Sequence, residues 1–487
     1  LIELRYNGNS ASFLRGFTAA FYGIFKNCIS LGWVILAMLK FSEVMLGGRA
    51  EIALVITAVF ALIHTLISGI KGVVILDALH FTVGVLSTIL MAILIMTAVG
   101  GPSELALKLS LSTEAPPGIT DMLPNLGHIT LLEMIGFTCL ILILWLGQAQ
   151  GDGFIVQRLF SAKNEKHAVK ASLWFAVAAI VILTWPWIVI GLGSIILLPI
   201  SDASDALLAD PELAYPLMIL KVLPTGLKGL LVAAFMAAFM STVDTHLCWG
   251  GSYVVNDIYK RFLVKDKTPK HYLFISRVSI VFLLLCSSIA AWQMDSIADA
   301  WIYIIEIMSG VAIISMLRWF WWRINAWSEI TSMVTALLLA NGYFISKIIY
   351  YFDFININQL HQIQFYYDID HALIRAAFIL IVSTLMSLLV TFLTKPVENN
   401  RLLAFYKKVK PMGWWQPIAL QAPEIVVPQV AKTSWLGFGF GVIFLNSILF
   451  SVGHLVLGHY LIAFILIVIA IISGRMTLRQ VENTTTE

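Results

Sequence analysis

Apolar runs of about 20 residues, each bounded by polar or turn-forming residues, recur along almost the whole chain. A run of that length is what an α-helix needs to cross a hydrocarbon core of about 30 Å. About twelve such runs are found, near residues 13–40, 51–70, 73–99, 129–150, 170–197, 226–250, 273–292, 297–317, 327–349, 372–394, 434–453 and 457–474. They predict an all-α, multi-spanning membrane bundle with short connections and no large soluble domain.

The polar residues between the runs alternate in sign. Arg158, Lys163, Lys166 and Lys170 follow the fourth run, and Lys260, Arg261, Lys265, Lys267, Lys270 and Arg277 follow the sixth. Arg318 and Arg323 follow the eighth, Lys395, Arg401, Lys407, Lys408 and Lys410 the tenth, and Arg475 and Arg479 the twelfth. The intervening loops are acidic, with Asp202, Asp205, Asp210 and Glu212 in one and Asp353, Asp368 and Asp370 in another. Basic loops stay on the cytoplasmic side, so both ends of the chain are expected in the cytoplasm of a multi-pass cell-membrane protein. Trp319, Trp321, Trp322 and Trp327, with Phe320, stand beside Arg318 and Arg323 and read as an interfacial aromatic belt.

Composition narrows the function. Of 487 residues 59% are hydrophobic and 12% charged, 31 basic against 28 acidic, and the mean hydropathy is +0.89. Soluble domains carry about 25% charge, so a soluble enzyme, a nucleic-acid partner and a disordered chain are all excluded. Cys28, Cys139, Cys248 and Cys286 lie inside apolar runs without metal or disulfide spacing and read as core filler. The first residue is Leu1, and the opening to Ser12 lacks signal-peptide character; an upstream segment is expected.

Polar groups inside spans are expensive and are therefore the first candidates for function. The sixth span, Gly229-LLVAAFMAAFMSTVDTHLCWGGS-Tyr253, is the richest. At about 100° per residue, Ala238, Ser241, Thr242, Asp244, Thr245 and Cys248 share one face. Ala233, Ala234, Ala237 and Ala238 repeat at a small-xxx-small spacing that admits a neighbouring backbone. Two hydroxyls cannot fill the oxygen shell of a hard cation alone, so carbonyls from a broken neighbouring helix would have to complete it. The stripe therefore reads either as half of a sodium site or as hydroxyls bonded to the preceding turn beside a packing seam. Asp77, in Lys71-GVVILDAL-His80, either touches an ion or pairs with a neighbour. Glu306, in Trp301-IYIIEIMS-Gly310, is either a ligand or a buried, hydrogen-bonded carboxyl group. His80 and Glu133 lie nearer span ends and read as structural. The fourth span closes with Trp145-LGQAQGD-Gly153, either a glycine-broken solute-binding segment or a helix end at the surface.

The stretch Leu223-PTGLKGLLVAAFMAAFMSTVDTHLCWGGSYVVNDIYKR-Phe262, with Val156-QRLFSAK-Asn164 and Asp77, resembles the sodium:solute symporter family. Leu317-RWFWWRINAWSE-Ile330 is similar to a bacterial branch of it, and the resemblance runs over residues 1 to about 345. It implies the five-plus-five inverted-repeat fold of the leucine-type transporters, with Na+ as coupling ion and no organic cofactor. The implied sodium ligands are Ala238 through its carbonyl, Ser241 and Thr242 through their hydroxyls, and Asp77 for a second ion. In the family's element around Asp77, Leu76 and His80 stand here in place of Thr and Gln. The gate region maps onto Gln148 to Asp152 without the aromatic residue of the sugar carriers, so a sugar is not implied. Gln148, Gln150, Asp244 and Glu306 are the candidate solute-binding residues.

Orientation from loop charge gives in-out, out-in, in-out for the first three spans and the reverse for spans six to eight, as an inverted repeat requires. The first three spans would then be core helices three to five, with core helices one and two upstream. Residues 1–322 are expected to form a partial transporter core and 323–487 additional C-terminal spans. A chain lacking the first, broken core helix is expected to bind sodium weakly and not to transport. The leading expectation is secondary active import of a small organic solute by alternating access, with the solute, sodium and the lipid bilayer as partners and no nucleic acid. One rival is a symporter-like sensory input module, disfavoured by the short tail after Gly474. Another is a prenyl transferase using Asp202 and Asp205, disfavoured because those residues fall on the outer side.

Overall fold

A computed structural model describes residues 2–47, 50–123, 130–131, 134–138, 141, 155–156, 159, 161–200, 205–352, 354–367, 371–425 and 430–484. The helices, in chain order, are α1 (Ile2–Arg5), α2 (Gly8–Ala20), α3 (Asn27–Leu46), α4 (Ala50–Val99), α5 (Pro102–Leu111), α6 (Glu165–Val177), α7 (Thr184–Leu197), α8 (Asp205–Ala209), α9 (Ala214–Val222) and α10 (Thr225–Tyr253). They continue with α11 (Pro269–Trp292), α12 (Ile297–Phe320), α13 (Ala326–Ala340), α14 (Gly342–Tyr351), α15 (Ile357–Tyr367), α16 (Ala372–Leu393), α17 (Asn399–Val409), α18 (Gln416–Ala419), α19 (Val430–Val456) and α20 (Tyr460–Thr484). Widened π turns at Phe21–Lys26, Ala178–Ile182 and Val254–Leu263 continue α2, α6 and α10. Among the described residues the only β pairing is an isolated bridge between Trp321 and Trp414.

Nine of the described helical segments are long and apolar enough to cross a membrane, or ten when α13 and α14, bent by 63° at Asn341, count as one broken span. Two of the expected runs behave differently. Residues 51–70 and 73–99 lie end to end on α4, which is helical over all 50 of its residues. Only Val74–Val99 meets the length and hydropathy of a span, with Leu54–Ile67 a shorter apolar stretch. Gly69 and Gly72 between the runs each weaken a helix by about 1 kcal/mol without ending it. Most of the expected span 129–150 falls outside the described residues.

Contacts divide the chain into two units. One comprises Leu1–Trp33, Leu126–Gly153 and Trp249–Pro428, the other Val34–Asn125, Phe154–Cys248 and Gln429–Glu487. In the first, α12, α13 and α16 pack together. Ser296 caps α12, and Asn325 and Ser328 cap α13 reciprocally, which satisfies the orphan N–H groups of each first turn. Gly310 lies where the three helices meet: a Cβ there would stand 2.6 Å from Ala336 Cβ and 2.7 Å from Ser383 Oγ. At the end of α12, Arg5 is fully buried. Its guanidinium donates to the carbonyls of Arg318 (3.4 Å), Trp321 (3.2 Å), Trp322 (3.0 Å) and Ile324 (3.3 Å) and lies 4.7 Å from the centre of the Trp415 ring. Thus Arg5 occupies the carbonyls that a helix end leaves bare. Beneath it, Glu329 joins Tyr6 Oη and, at 3.1 Å, Arg318. The main chain at Trp321 and Trp322, two of the tryptophans read as an interfacial belt, is thereby held as well.

In the second unit the core is Phe41, Met91, Ile95, Val99, Val189 and Met218 with their neighbours on α5, α9 and α10. Gly100 and Gly101, both at positive φ, turn the chain sharply between α4 and α5, a conformation open to glycine alone without strain. The hairpin of α19 and α20 turns at Gly458 in the same way.

Candidate functional site

The polar stripe of α10 meets α4. Ser241 Oγ donates to Asp77 Oδ1 at 2.5 Å, and Thr242 Oγ1 donates to the Ala238 carbonyl at 2.9 Å. Asp244, one turn from Ser241 on the same face, is 1% exposed. It accepts the Thr65 hydroxyl at 2.5 Å and is bonded to His64 Nδ1.

The two hydroxyls of the stripe make different contacts. Thr242 makes the bond to the preceding turn that a packing role requires. Ser241 does not; it reaches across to the carboxylate of another helix. A hydroxyl has one proton and two lone pairs, and both Ser241 and Thr242 spend the proton on a neighbouring oxygen. The groups in these two contacts, hydroxyl, carbonyl and carboxylate, are all oxygen donors, the donor type that a hard cation takes. One turn beyond Asp77, the buried Nδ1 of His80 has no hydrogen-bond partner among the described residues.

Glu306 belongs to a different cluster, in the first unit. It is 2% exposed, and Arg375 approaches its Oε1 with Nε at 2.7 Å and Nη2 at 2.6 Å. Arg375 Nη1 donates to the Tyr366 carbonyl at 2.6 Å, and its guanidinium lies 5.0 Å from the Tyr367 ring centre. Close by on α12, Tyr303 Oη donates to Asn341 at 2.9 Å, the residue at which the α13–α14 span breaks. Gln148 and Gln150 lie outside the described residues.

Sequence reasoning therefore missed His64, Thr65 and Arg375, the groups that hold its own carboxylate candidates. A signal existed: an ionisable group inside a span calls for a partner, and Arg375 and His64 are themselves polar intruders in apolar runs. Arg5, Tyr6, Glu329 and Arg318 formed no pattern in the sequence, because the first two stand more than 300 positions from the others.

A sequence model of the sodium:solute symporter family matches residues 3–335. The sodium/glucose cotransporter of Vibrio parahaemolyticus is 26% identical over 363 residues, 70% of this chain and 64% of that protein. The sodium/myo-inositol cotransporter 2 of Homo sapiens is 31% identical over 211 residues, 39% of this chain and 30% of that protein. The chain thus spans less than two thirds of the length of these relatives. Among solved structures, a substrate-bound, outward-open Na+-coupled sialic acid symporter is similar with a TM-score of 0.57 at 19% identity, covering 82% of this chain and 77% of that one. At that identity the likeness shows a shared fold.

Proposed function

The chain belongs to the sodium:solute symporter family, and we propose that it is a sodium-coupled secondary transporter that imports a small organic solute by alternating access. The observation that carries this reading is the Ser241–Asp77 contact, which sets a hydroxyl and a carboxylate from two helices side by side, next to the Thr242–Ala238 pair. Sodium enters as a substrate of the cycle. Ala238, Ser241, Thr242 and Asp77 offer it oxygens, and carbonyls from a further helix complete the shell. The driving force is the sodium gradient plus about 2.3 kcal/mol per charge for each 100 mV of membrane potential, enough to concentrate a small solute. No bond of the solute is made or broken, so the protein is not an enzyme.

Gln148, Gln150, Asp244 and Glu306 are the proposed solute contacts. For Asp244 and Glu306 this requires that His64 with Thr65, and Arg375, release or share the carboxylate in part of the cycle. The solute is not taken over from the names of the relatives. Both ends of the chain are assigned to the cytoplasm of the cell membrane, residues 1–322 to the transport core and 323–487 to added spans.

The test is solute uptake by the full-length protein in proteoliposomes under an inward sodium gradient, with potassium as the control. Ser241→Ala or Thr242→Ala should raise the sodium concentration for half-maximal uptake by roughly 10- to 100-fold, since a bond to a charged group is worth about 1.5–3 kcal/mol. Uptake that is equal in potassium would remove the sodium coupling, and an unchanged sodium requirement in both variants would remove the site.

A further inference from the structure

Between residues 395 and 424 the chain carries five basic side chains, Lys395, Arg401, Lys407, Lys408 and Lys410, against two acidic ones, Glu398 and Glu424. Solute transport makes no use of them. α17 buries Leu402, Phe405 and Tyr406 at helical spacing, which fixes it to the first unit through its apolar face. Lys407, Lys408 and Lys410 are left exposed. Lys407 stands 3.2 Å from Glu424, but both side chains are half or more exposed, and such a pair is worth little.

After Lys410, in the left-handed conformation, the chain folds back onto the ends of two spans. The Trp414 N–H donates to the Phe320 carbonyl at 2.6 Å, and Trp415 Nε1 donates to the Trp319 carbonyl at 2.9 Å. The Trp321 ring centre lies 5.8 Å from that of Phe392 and 6.5 Å from that of Trp414. Phe320 is the last residue of α12 and Phe392 the last but one of α16. Trp414 therefore stands where two spans end, the level at which an amphipathic aromatic ring prefers to sit. It is 66% exposed, and Leu420 nearby in sequence is 74% exposed. Exposed apolar side chains at the boundary, with exposed lysines on the adjoining helix, make an interfacial amphipathic segment.

We infer that residues 395–424 form a binding surface for anionic phospholipid headgroups of the surrounding leaflet, with Lys407, Lys408 and Lys410 meeting the phosphates while Trp414 and Leu420 enter the acyl boundary. The charge complementarity commits the occupant: a basic cluster beside a span end fits an anionic leaflet, each basic residue strengthening the attraction about fivefold.

The test places the protein in nanodiscs containing a photoreactive phosphatidylglycerol or, in parallel, a photoreactive phosphatidylcholine, and maps cross-linked peptides by mass spectrometry. Residues 395–424 should be labelled several-fold more by the anionic probe. K407Q/K408Q/K410Q should bring labelling by the two lipids close to equal, and K407R/K408R/K410R should retain the preference. Raising the salt from 0.1 to 0.5 M should reduce it. Equal labelling by the two lipids in the unmodified protein would overturn the inference without any variant having to fold. So would a preference that survives loss of the three charges, or one abolished by inorganic phosphate at constant ionic strength, which would mark a site for a soluble anion.

Discussion

Replacing Arg375 by Leu tests how tightly the buried carboxylate of Glu306 depends on its partner. Two guanidinium nitrogens lie 2.7 and 2.6 Å from one carboxylate oxygen, and Glu306 is 2% exposed, so no water stands ready to replace them. Breaking a buried pair from one side costs about 3–5 kcal/mol, because the remaining charge is left uncompensated. The substitution also removes the bond to the Tyr366 carbonyl, worth about 1 kcal/mol, and the contact with the Tyr367 ring, worth about 0.5–2 kcal/mol. Arg375→Leu alone should therefore destabilise by about 5 kcal/mol or more. Glu306→Gln combined with Arg375→Leu loses the same two minor contacts but leaves no orphan charge, and should recover at least about 2 kcal/mol of that cost. Reversible unfolding in mixed detergent micelles, followed by circular dichroism on both single variants and the double variant, measures the cycle. If the double variant is as unstable as the sum of the two singles, the carboxylate is not held by Arg375 and the reasoning fails.

Arg5→Lys keeps the charge but lacks the planar fork that spans the carbonyls of Arg318, Trp321, Trp322 and Ile324; a loss of about 2–3 kcal/mol is expected, read as a lower melting temperature with faster proteolysis at 319–324, and equal stability would show that the point charge alone suffices. Gly310→Ala should destabilise by about 1–3 kcal/mol through overpacking, and adding Ala336→Gly should restore part of it, since the new Cβ would stand 2.6 Å from that methyl group; no rescue would place the strain elsewhere. Glu3 is subject to burial, which raises its carboxyl, but the guanidiniums of Arg261 and Arg15, at 2.8 and 2.6 Å, outweigh that and hold it below the usual carboxylate range. A carboxylate depressed on folding stabilises the native state above its unfolded value and loses that contribution as pH falls through the folded value, so acidification below about pH 4.3 should lower the melting temperature less in Glu3→Gln than in the unmodified protein.

Much of the bundle was legible because a bilayer demands long apolar runs, and these leave marks in one dimension. The polar face of α10 was legible for the same reason: Ser241 and Asp244 share a helix face by arithmetic alone. Their partners were not, since His64, Thr65 and Asp77 come to Asp244 and Ser241 across more than 160 positions, and only tertiary approach decides which face of α4 meets them. The joining of residues 51–70 and 73–99 escaped for another reason. Glycine and a single lysine look like punctuation, yet a helix tolerates them when nothing compels a turn. The Arg5 cradle was invisible because its acceptors are main-chain carbonyls, which every sequence possesses.

Gly310 has a last implication for how anything moves through this protein. Where a methyl group finds no room among α12, α13 and α16, neither does a hydrated ion nor a molecule of several carbons. At the level of Gly310 that seam is closed, and any passage would have to run beside it.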